Sequence, residues 1–470
     1  MKTPLIGTRQ FYRNVLGIGV PIALQTLLVN STGIVDTIMV GTQGELAVAA
    51  VGICAQFGTL MFSGYFGFCN GGTIFIAQYW GAKDEKGICR SYGIMLSCMM
   101  AVSFGFGALA IFAPEFIMGI YTDKESIGSI GVTYLRIIGF NYPISVFAVA
   151  IGSLLRSIEK VRIPLFASTI SVAANIILNW LLILGNLGFP RLGVPGAAIA
   201  SVCSNIVHVI VLYVFCIFDR GTFLLRIRDQ FRWGVSFIQQ FFTKSFFIVC
   251  NEIFFGTGQL VLNIIIGRQA EAGIAAIAVF RVLESFIFVF FVGFSGASAV
   301  MVGAKVGAGN HLDAYTEAKQ FILACPALTL LVCLILLPFR EQVFALFGLG
   351  AEAVSYAKMM LLIYTLTGTL RSCNFITNNI FRSAGESVFG TAVELLSLYF
   401  VTIPATAVAG ILLHLPFLAV FFMIFADEFV RLYIIQRYLY SGKWVKPVTR
   451  EGLMTIEGFR KLLQKNGMGE

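Results

Sequence analysis

The sequence predicts an all-α integral membrane protein, with twelve transmembrane helices in two parallel-repeat six-helix lobes around a central cavity. The first observation behind this fold class is composition. Of the 470 residues, 58% are hydrophobic and only 12% are charged, which is too apolar for a soluble protein of this length. The second is an internal duplication at a constant offset of 226 residues, as from Gly41 to Gly267. Duplicated halves are typical of membrane transporters.

The duplication consists of short motifs that return in the same order. They include Glu45 with Glu271, Gly67-Phe68 with Gly293-Phe294, Gly81-Ala82 with Gly307-Ala308, and Arg156-Ser157 with Arg382-Ser383. Six spans per half return the chain to its starting side, so both halves run in the same direction. We expect a cavity between such lobes to open alternately to either side of the membrane.

Twelve hydrophobic runs are long enough to cross the bilayer as helices. They cover 15–40, 46–80, 88–113, 127–155, 162–185, 193–217, 237–266, 272–305, 315–338, 357–381, 388–413 and 416–437. Runs of this length exclude a β-barrel, whose strands are short and alternate in polarity.

A polar, Arg/Asp-rich stretch between the sixth and seventh spans marks the boundary between the halves. The sequence therefore predicts four parts: an N-terminal six-helix lobe at 1–218, a cytoplasmic linker at 219–236, a C-terminal six-helix lobe at 237–440 and a cytoplasmic tail at 441–470.

Basic residues concentrate in alternate loops, which places both termini in the cytoplasm by the positive-inside rule. The basic positions include Lys2, Arg9, Arg13, Lys83, Lys86, Arg90, Arg156, Lys160, Arg162, Arg220, Arg226, Arg228, Arg232, Lys443 and Lys446. The net charge of +9 is largely this topological signal, so we expect the lipid bilayer, and no nucleic acid, as a partner.

Several classes of chemistry have no motif in this chain. The ten cysteines are scattered without a Cys-x-x-Cys pair, the three histidines do not cluster, and no phosphate-binding Gly-x-x-x-x-Gly-Lys-[Ser/Thr] loop occurs. We expect no cleavable signal peptide before the first span. We expect no enzyme activity and no cofactor. A transporter without its own ATPase motif needs an ion gradient or a partner to drive it.

Several motifs, in order, are similar to those of the multidrug and toxic compound extrusion (MATE) family. They are Pro21, Asp36-Thr37-Ile38-Met39-Val40-Gly41, Asn175 to Asn179, Leu192 to Ser201, Asn251-Glu252, Phe381 to Glu386 and Ser441 to Trp444. The resemblance implies a monomeric efflux transporter of a bacterial inner (plasma) membrane. Such a protein exports small organic compounds, including cationic or amphipathic drugs, by Na⁺- or H⁺-coupled antiport with alternating access.

Asp36 is the main candidate for the coupling residue. It lies well inside the first span without a basic residue at helical spacing, and a charged group inside the bilayer is expensive. Burial disfavours the charged carboxylate, whereas a nearby monovalent cation favours it. Asp36 could therefore alternate between proton-bound and ion-bound (Na⁺) states. The alternative is an aspartate near the helix end that reaches the membrane surface.

Asn175, Asn179 and Ser201 supply neutral oxygens that suit a hard monovalent cation beside one carboxylate. The family resemblance implies that these positions and Asp36 form the cation site of the first lobe. Relatives usually carry an aspartate at Asn179, so this chain has one potential charge fewer, and we favour Na⁺ over H⁺. The alternative for the asparagines is a purely structural role in hydrogen bonds between helices.

Ionisable residues also lie inside the spans of the second lobe: Glu252, Glu284, Glu394, Arg281 and Arg371. Arg281 precedes Glu284 by three residues, so the two can pair on one helix face. One interpretation is that Glu252, Arg281, Glu284 and Arg371 neutralise one another between helices. The other is that the arginines face the substrate cavity and bind an anionic group.

These arginines keep alternative functions open. They are compatible with a flippase of lipid-linked saccharides or an exporter of an anionic metabolite. A membrane-embedded enzyme would need paired His, Asp or Ser groups at active-site spacing, which the sequence lacks. Asp427, Glu428 and Arg431 in the last span are expected near its cytoplasmic end, in a structural role.

Overall fold

A computed structural model describes residues 7–218, 226–345 and 350–465, and within these ranges every regular element is helical. Lys2, Asp219 and Arg220, used above to predict topology or the linker, lie outside the described residues, as does the first part of that linker. The described part of the linker contains the short helix α8, and Arg226 before it forms an ion pair with Glu85 at 2.5 Å.

The helices of the first half are α1 (Arg9–Gly41), α2 (Glu45–Gly81), α3 (Glu85–Phe112), α4 (Pro114–Tyr121), α5 (Glu125–Ser157), α6 (Arg162–Leu182) and α7 (Val194–Phe218). The short α8 (Ile227–Gln230) follows. The second half contains α9 (Val235–Ile266), α10 (Glu271–Gly307), α11 (His311–Leu336), α12 (Arg340–Ala345), α13 (Ala351–Ser383), α14 (Val388–Ser397), α15 (Ile403–Ala407), α16 (Phe417–Met423), α17 (Ala426–Ser441) and α18 (Arg450–Lys465).

The sequence duplication is visible in the helix boundaries. Helices α2 and α10 each have 37 residues, and α5 and α13 each have 33 residues. Both pairs begin and end at positions that differ by the offset found in the sequence. The two halves therefore repeat one succession of helices.

Ten of the helices are long and apolar enough to cross a membrane, counted over the described residues. They correspond to ten of the twelve predicted spans, with α14, α15 and the π-helical turns beside them forming one continuous run, Val388–Leu412. The 33-residue α13, which carries Arg371 and Arg382, and the interrupted pair α16–α17 correspond to the other two. The predicted all-α membrane fold is confirmed.

The chain divides into two compact units that do not follow the chain order strictly. The N-terminal unit comprises Leu24–Ile76 and Glu85–Val249, and the C-terminal unit comprises the described residues up to Ala23, Ala77–Asp84 and those from Cys250 onward. Helices α1, α2 and α9 each contribute residues to both units.

The N-terminal unit is built around α5, which packs against α3 and α7 and carries a fully buried apolar face. In the C-terminal unit α13 has the same central place, between α10 and α11. There the rings of Phe280 and Tyr364 meet edge to face at a centroid distance of 5.3 Å, which adds to the stabilisation from burial. The helices that hold the candidate sites are thus packed firmly.

The chain after α17 packs against the C-terminal unit. Trp444 is fully buried, the Val448 amide donates to Gln78 Oε1 at 2.8 Å, and Thr449 Oγ1 donates to the carbonyl of Gly307 at 2.6 Å. A side chain at Gly307 would clash with the Gln78 backbone, so a glycine is needed where α10 approaches the end of α2. The start of the predicted tail is therefore an integral part of this unit.

Candidate functional site

Asp36 of α1 and Asn179 of α6 meet in the N-terminal unit. The Asn179 amide donates from Nδ2 to Asp36 Oδ1 at 2.5 Å, and the Asn179 side chain is fully buried whereas Asp36 is partly exposed. Two helices thus place one carboxylate and one amide in direct contact, although the residues are far apart in sequence.

The polar contacts continue along α6 and onto α7. Asn179 Nδ2 also donates to Asn175 Oδ1 at 3.1 Å, since the two residues are one helical turn apart. Asn175 in turn donates to Ser204 Oγ on α7 at 3.4 Å. Asp36, Asn179, Asn175 and Ser204 therefore form one line of hydrogen-bonding side chains, which we call the asparagine line.

One atom of the asparagine line has no partner. Asn179 Oδ1 is buried and accepts no hydrogen bond, while Nδ2 of the same amide donates twice. A buried polar atom without a partner in the protein is costly, so such an atom needs a bound water, ion or other ligand. An amide oxygen beside a carboxylate fits a monovalent cation. The described residues contain no group of three or more His, Cys, Asp or Glu able to hold a metal ion.

Ser201 belongs to this region through its backbone. Its carbonyl accepts hydrogen bonds from Ser204 Oγ at 3.0 Å and Asn205 Nδ2 at 3.1 Å, and the hydroxyl that touches the asparagine line is that of Ser204. The sequence analysis did not name Ser204. It lies one helical turn after Ser201, so helical spacing from Ser201 was the available signal.

In the C-terminal unit, the structure brings together two of the four predicted residues. Arg371 on α13 forms an ion pair with Glu284 on α10 at 2.5 Å. Arg281 instead donates to Asn263 Oδ1 on α9 at 2.5 Å, and neither it nor Glu252 forms an ion pair with a described residue. The four residues therefore do not form one neutralised set.

Glu394 of α14 is the centre of a larger ionic network. Its carboxylate accepts hydrogen bonds from Asn378 at 2.9 Å and from Asn251, Arg382 and Arg431 at 3.3 Å each. Glu394 is largely buried. Four helices, α9, α13, α14 and α17, thus converge on one carboxylate.

Arg431 joins this centre to the acidic pair of α17. It lies 3.3 Å from Asp427 and 3.7 Å from Glu428, and all three residues are buried. Glu428 Oε2 also accepts from Asn374 Nδ2 at 2.8 Å. Asp427, Glu428 and Arg431 were expected near the cytoplasmic end of the last span, in a structural role, and their contacts make them part of the buried network.

This network has more carboxylates than arginines. It contains three arginines and four carboxylates: Arg371, Arg382, Arg431, Glu284, Glu394, Asp427 and Glu428. A further carboxylate, Glu252, lies within electrostatic range of Arg382 and Glu394. Each of the three arginines already has a carboxylate, so none is left for an anionic ligand.

Sequence comparison identifies the family of the chain. The MatE family model matches twice, at residues 21–181 and 248–408, which agrees with the internal duplication. The chain is 25% identical over 446 residues to a probable multidrug resistance protein NorM of Thermotoga maritima, with 93% of this chain and 95% of that protein covered. An uncharacterised transporter, YisQ of Bacillus subtilis, is 20% identical over 91% of this chain and 93% of its own length.

Solved structures share the fold. The crystal structure of MATE in complex with MaL6 has a TM-score of 0.83 at 19% identity and covers 97% of this chain and 98% of that chain. A MOP superfamily transporter from Pyrococcus furiosus, for which reverse polarity of the binding pocket suggests a different function, has a TM-score of 0.81 at 18% identity, with 93% and 98% covered. The resemblance found in the sequence motifs is confirmed: the chain belongs to the MatE family of multi-pass membrane transporters and is not an enzyme.

Proposed function

We propose that this protein is a secondary active efflux transporter that exports small organic compounds by antiport with a monovalent cation, through alternating access. The observation that carries the proposal is the buried Asn179 Oδ1 without a partner, beside the Asp36 carboxylate. This pair supplies one negative charge and one neutral oxygen, which suits a single Na⁺ or H⁺.

The coupling step follows from electrostatics. An ionised Asp36 in the membrane interior is unfavourable unless a cation neutralises it. One bound Na⁺ or one proton does so, and the two ions therefore compete for the same carboxylate. When the cation leaves, Asp36 must be neutralised again before the surrounding helices can close around it. Cation binding on one side of the membrane is thereby linked to the opening of the other.

We favour Na⁺ because of the neutral oxygen atoms of the asparagine line. Asn179 Oδ1, the Ser204 hydroxyl and the backbone carbonyl of Ser201 lie along the same line of contacts. Amide, hydroxyl and carbonyl oxygens are ligands of hard cations, whereas holding a proton needs the carboxylate alone. In this assignment the Ser201 contribution comes from its backbone.

Relatives support small organic compounds as substrates. Several related proteins are named as multidrug resistance or multidrug and toxin extrusion proteins, including one of Vibrio cholerae and one of Danio rerio. Arg371, Arg382 and Arg431 already have carboxylate partners, which favours cationic over anionic compounds.

The test is efflux from everted membrane vesicles with Na⁺ and proton gradients imposed separately. We expect a Na⁺ gradient to drive export of a cationic dye. Transport driven by a proton gradient and indifferent to Na⁺ would contradict the sodium assignment and leave Asp36 as a proton carrier. Indifference to both gradients would contradict antiport.

A second candidate function is the export of an anionic metabolite or the flipping of a lipid-linked saccharide. Its support is the named reverse polarity of the pocket in the Pyrococcus furiosus transporter of the same fold, together with Arg281, which pairs with an amide only. Against it, Arg371, Arg382 and Arg431 all have carboxylate partners. Growth-inhibition profiles of an efflux-deficient bacterium, with cationic, neutral and anionic compounds, separate these functions.

We also propose the lobe boundaries 1–218 and 237–440 joined by the linker 219–236, with a tail at 441–470. Both termini are placed in the cytoplasm of a bacterium by the distribution of basic residues. Two lobes of six helices each make up a complete alternating-access transporter, so a monomer suffices for function.

A further inference from the structure

The two halves of the chain carry an arginine at the same place in equivalent helices. Arg382 lies in the last turn of α13, and Arg156 lies in the last turn of α5. In the C-terminal unit, Arg382 Nη2 donates to Glu394 Oε2 at 3.3 Å, and Asn251 donates to the same oxygen at 3.3 Å. We compare the equivalent residues of the N-terminal unit with this triad of amide, arginine and carboxylate.

The N-terminal unit repeats the triad with one change. Gln25 stands at the position of Asn251, and Ser168 stands at the position of Glu394. One contact is repeated, since Gln25 Nε2 donates to Ser168 Oγ at 3.0 Å, as Asn251 does to Glu394. The arginine contact differs, because Arg156 Nη1 donates to Gln25 Oε1 at 3.3 Å, whereas Arg382 donates to the carboxylate itself. The arginine and the amide are kept, but the carboxylate is replaced by a serine.

The surroundings of Arg156 are polar and uncharged. Arg156 Nη2 donates to Ser153 Oγ at 2.8 Å, Cys69 shares a hydrogen bond with Ser153 at 3.2 Å, and Ser168 Oγ lies 3.4 Å from His208 Nε2. Ser153 and Ser168 are each 1% exposed. Within the described ranges, no Asp or Glu lies within 4 Å of the Arg156 guanidinium.

A guanidinium in this position needs a negative partner. Arginine does not lose its proton in proteins, and an unpaired charge among buried groups is destabilising. The carbonyls at the end of α5 attract positive charge. Arg382 occupies the same place in α13 and nevertheless has Glu394, so the helix end does not replace the carboxylate.

The side chain beside Arg156 is also smaller than its counterpart in the other half. Gly152 stands where Asn378 stands in the other half, and a Cβ at Gly152 would meet nothing closer than Arg156 Nη1, at 3.6 Å. Asn378 donates to Glu394 in its own unit. The N-terminal unit thus lacks both the carboxylate and the amide that fill the corresponding space.

We propose that a small monovalent anion such as chloride binds beside Arg156 in the N-terminal unit, in the place that the Glu394 carboxylate occupies in the C-terminal unit. The donors around this place are the Arg156 guanidinium, the hydroxyls of Ser153 and Ser168, and Nε2 of Gln25, which donates to Ser168 Oγ. The single negative charge of the anion balances the single positive charge of Arg156. The proposal does not depend on the substrate or the coupling ion, and it describes a structural anion site.

The experiment is a chloride titration of the purified full-length protein, with gluconate as the replacement anion at constant Na⁺ and ionic strength. Chloride binding is read from ³⁵Cl NMR line broadening, and its structural effect from the melting temperature. We expect saturable broadening and a melting temperature that rises with chloride. A titration without saturable broadening would overturn the proposal, whatever the variants show.

Three variants locate the site. In Ser168→Glu the protein supplies its own carboxylate, as at Glu394, so we expect the chloride effects to disappear and the melting temperature in gluconate to rise. Arg156→Gln removes the cation and should also abolish the broadening. Arg162→Gln, which removes an exposed positive charge nearby, should leave it unchanged. Equal broadening in wild type, Arg156→Gln and Ser168→Glu would place the anion elsewhere and contradict the proposal.

Discussion

The amide of Asn179 donates a hydrogen bond to the carboxylate of Asp36 across two helices, at 2.5 Å, and keeps its own oxygen buried without a partner. We propose that this carboxylate accepts the coupling cation. The structure thus gives Asp36, a residue of a sequence motif, a defined hydrogen-bonding partner. Two substitutions test this contact directly.

Asp36→Asn is expected to abolish gradient-driven efflux while leaving membrane levels normal. The amide has nearly the same size and can still accept a hydrogen bond, but it carries neither charge nor a titratable proton. The measurement is dye efflux in everted vesicles alongside expression level. Asp123→Asn, an exposed carboxylate between α4 and α5, is the matched control. Wild-type efflux by Asp36→Asn would remove Asp36 from the mechanism.

Asn179→Asp is expected to tighten cation binding and to shift the pH dependence of efflux. It places a second carboxylate against Asp36, and two carboxylates in contact titrate as a coupled pair. Efflux rates are measured from pH 5.5 to 8.5 at several Na⁺ concentrations. Asn14→Asp on the exposed start of α1 should leave the profile unchanged. An unchanged profile in Asn179→Asp would contradict the cation site.

Glu394→Gln is expected to destabilise the protein by about 3 kcal/mol, because it leaves the buried guanidiniums of Arg382 and Arg431 with one carboxylate fewer. Glu252→Gln should cost about 1 kcal/mol or less, since Glu252 forms no ion pair with a described residue. Reversible unfolding of both variants in detergent provides the comparison. Equal losses would show that Glu394 is not the centre of the network.

We expect the contact between Glu386 and the chain after α17 to depend on pH. Burial alone would raise the pKa of Glu386, but hydrogen bonds from Lys446, the Phe389 amide and Tyr438 outweigh it and hold the pKa below its ordinary value. A carboxylate with a lowered folded-state pKa stabilises the protein above its unfolded pKa, and this stabilisation is lost as the pH falls through the folded pKa.

Wild type should therefore be more stable than Glu386→Gln, and this difference in stability should be greatest near neutral pH. The difference should shrink as the pH falls below about 4. Melting temperatures between pH 3.5 and 7 measure it, with Glu451→Gln on the exposed face of α18 as the control. A difference in melting temperature that grows on acidification would contradict the lowered pKa of Glu386.

Thr42→Cys and Arg268→Cys are expected to react with a membrane-impermeant maleimide from outside the cell, and Arg228→Cys only after lysis. The first two lie at equivalent, exposed positions after α1 and α9. Gly44 is a poorer site because its φ of +103° strains any other residue. The native cysteines are buried or partly buried, so background labelling is low. Outside labelling at Arg228→Cys would contradict the parallel repeats.

The sequence by itself determined the fold class. Apolar runs long enough to cross the bilayer can only be helices there, since each backbone polar group must be satisfied within its own segment. The duplication fixed the succession of helices, which is why α5 and α13 have matching boundaries. Asp36 could be selected from the sequence because an ionisable group inside a span is rare and costly. Asn179 was selected because the family resemblance implies a cation site at its position.

Contacts between helices were decided only by the tertiary structure. Arg281 could pair with Glu284 by helical spacing, yet it reaches Asn263 on α9 while Glu284 pairs with Arg371 on α13. Spacing along one helix gives the face of a residue, but the partner depends on which neighbouring helix that face meets. For the same reason Ser204 came into the asparagine line through α7, and Glu394 became the centre of its network through the convergence of four helices.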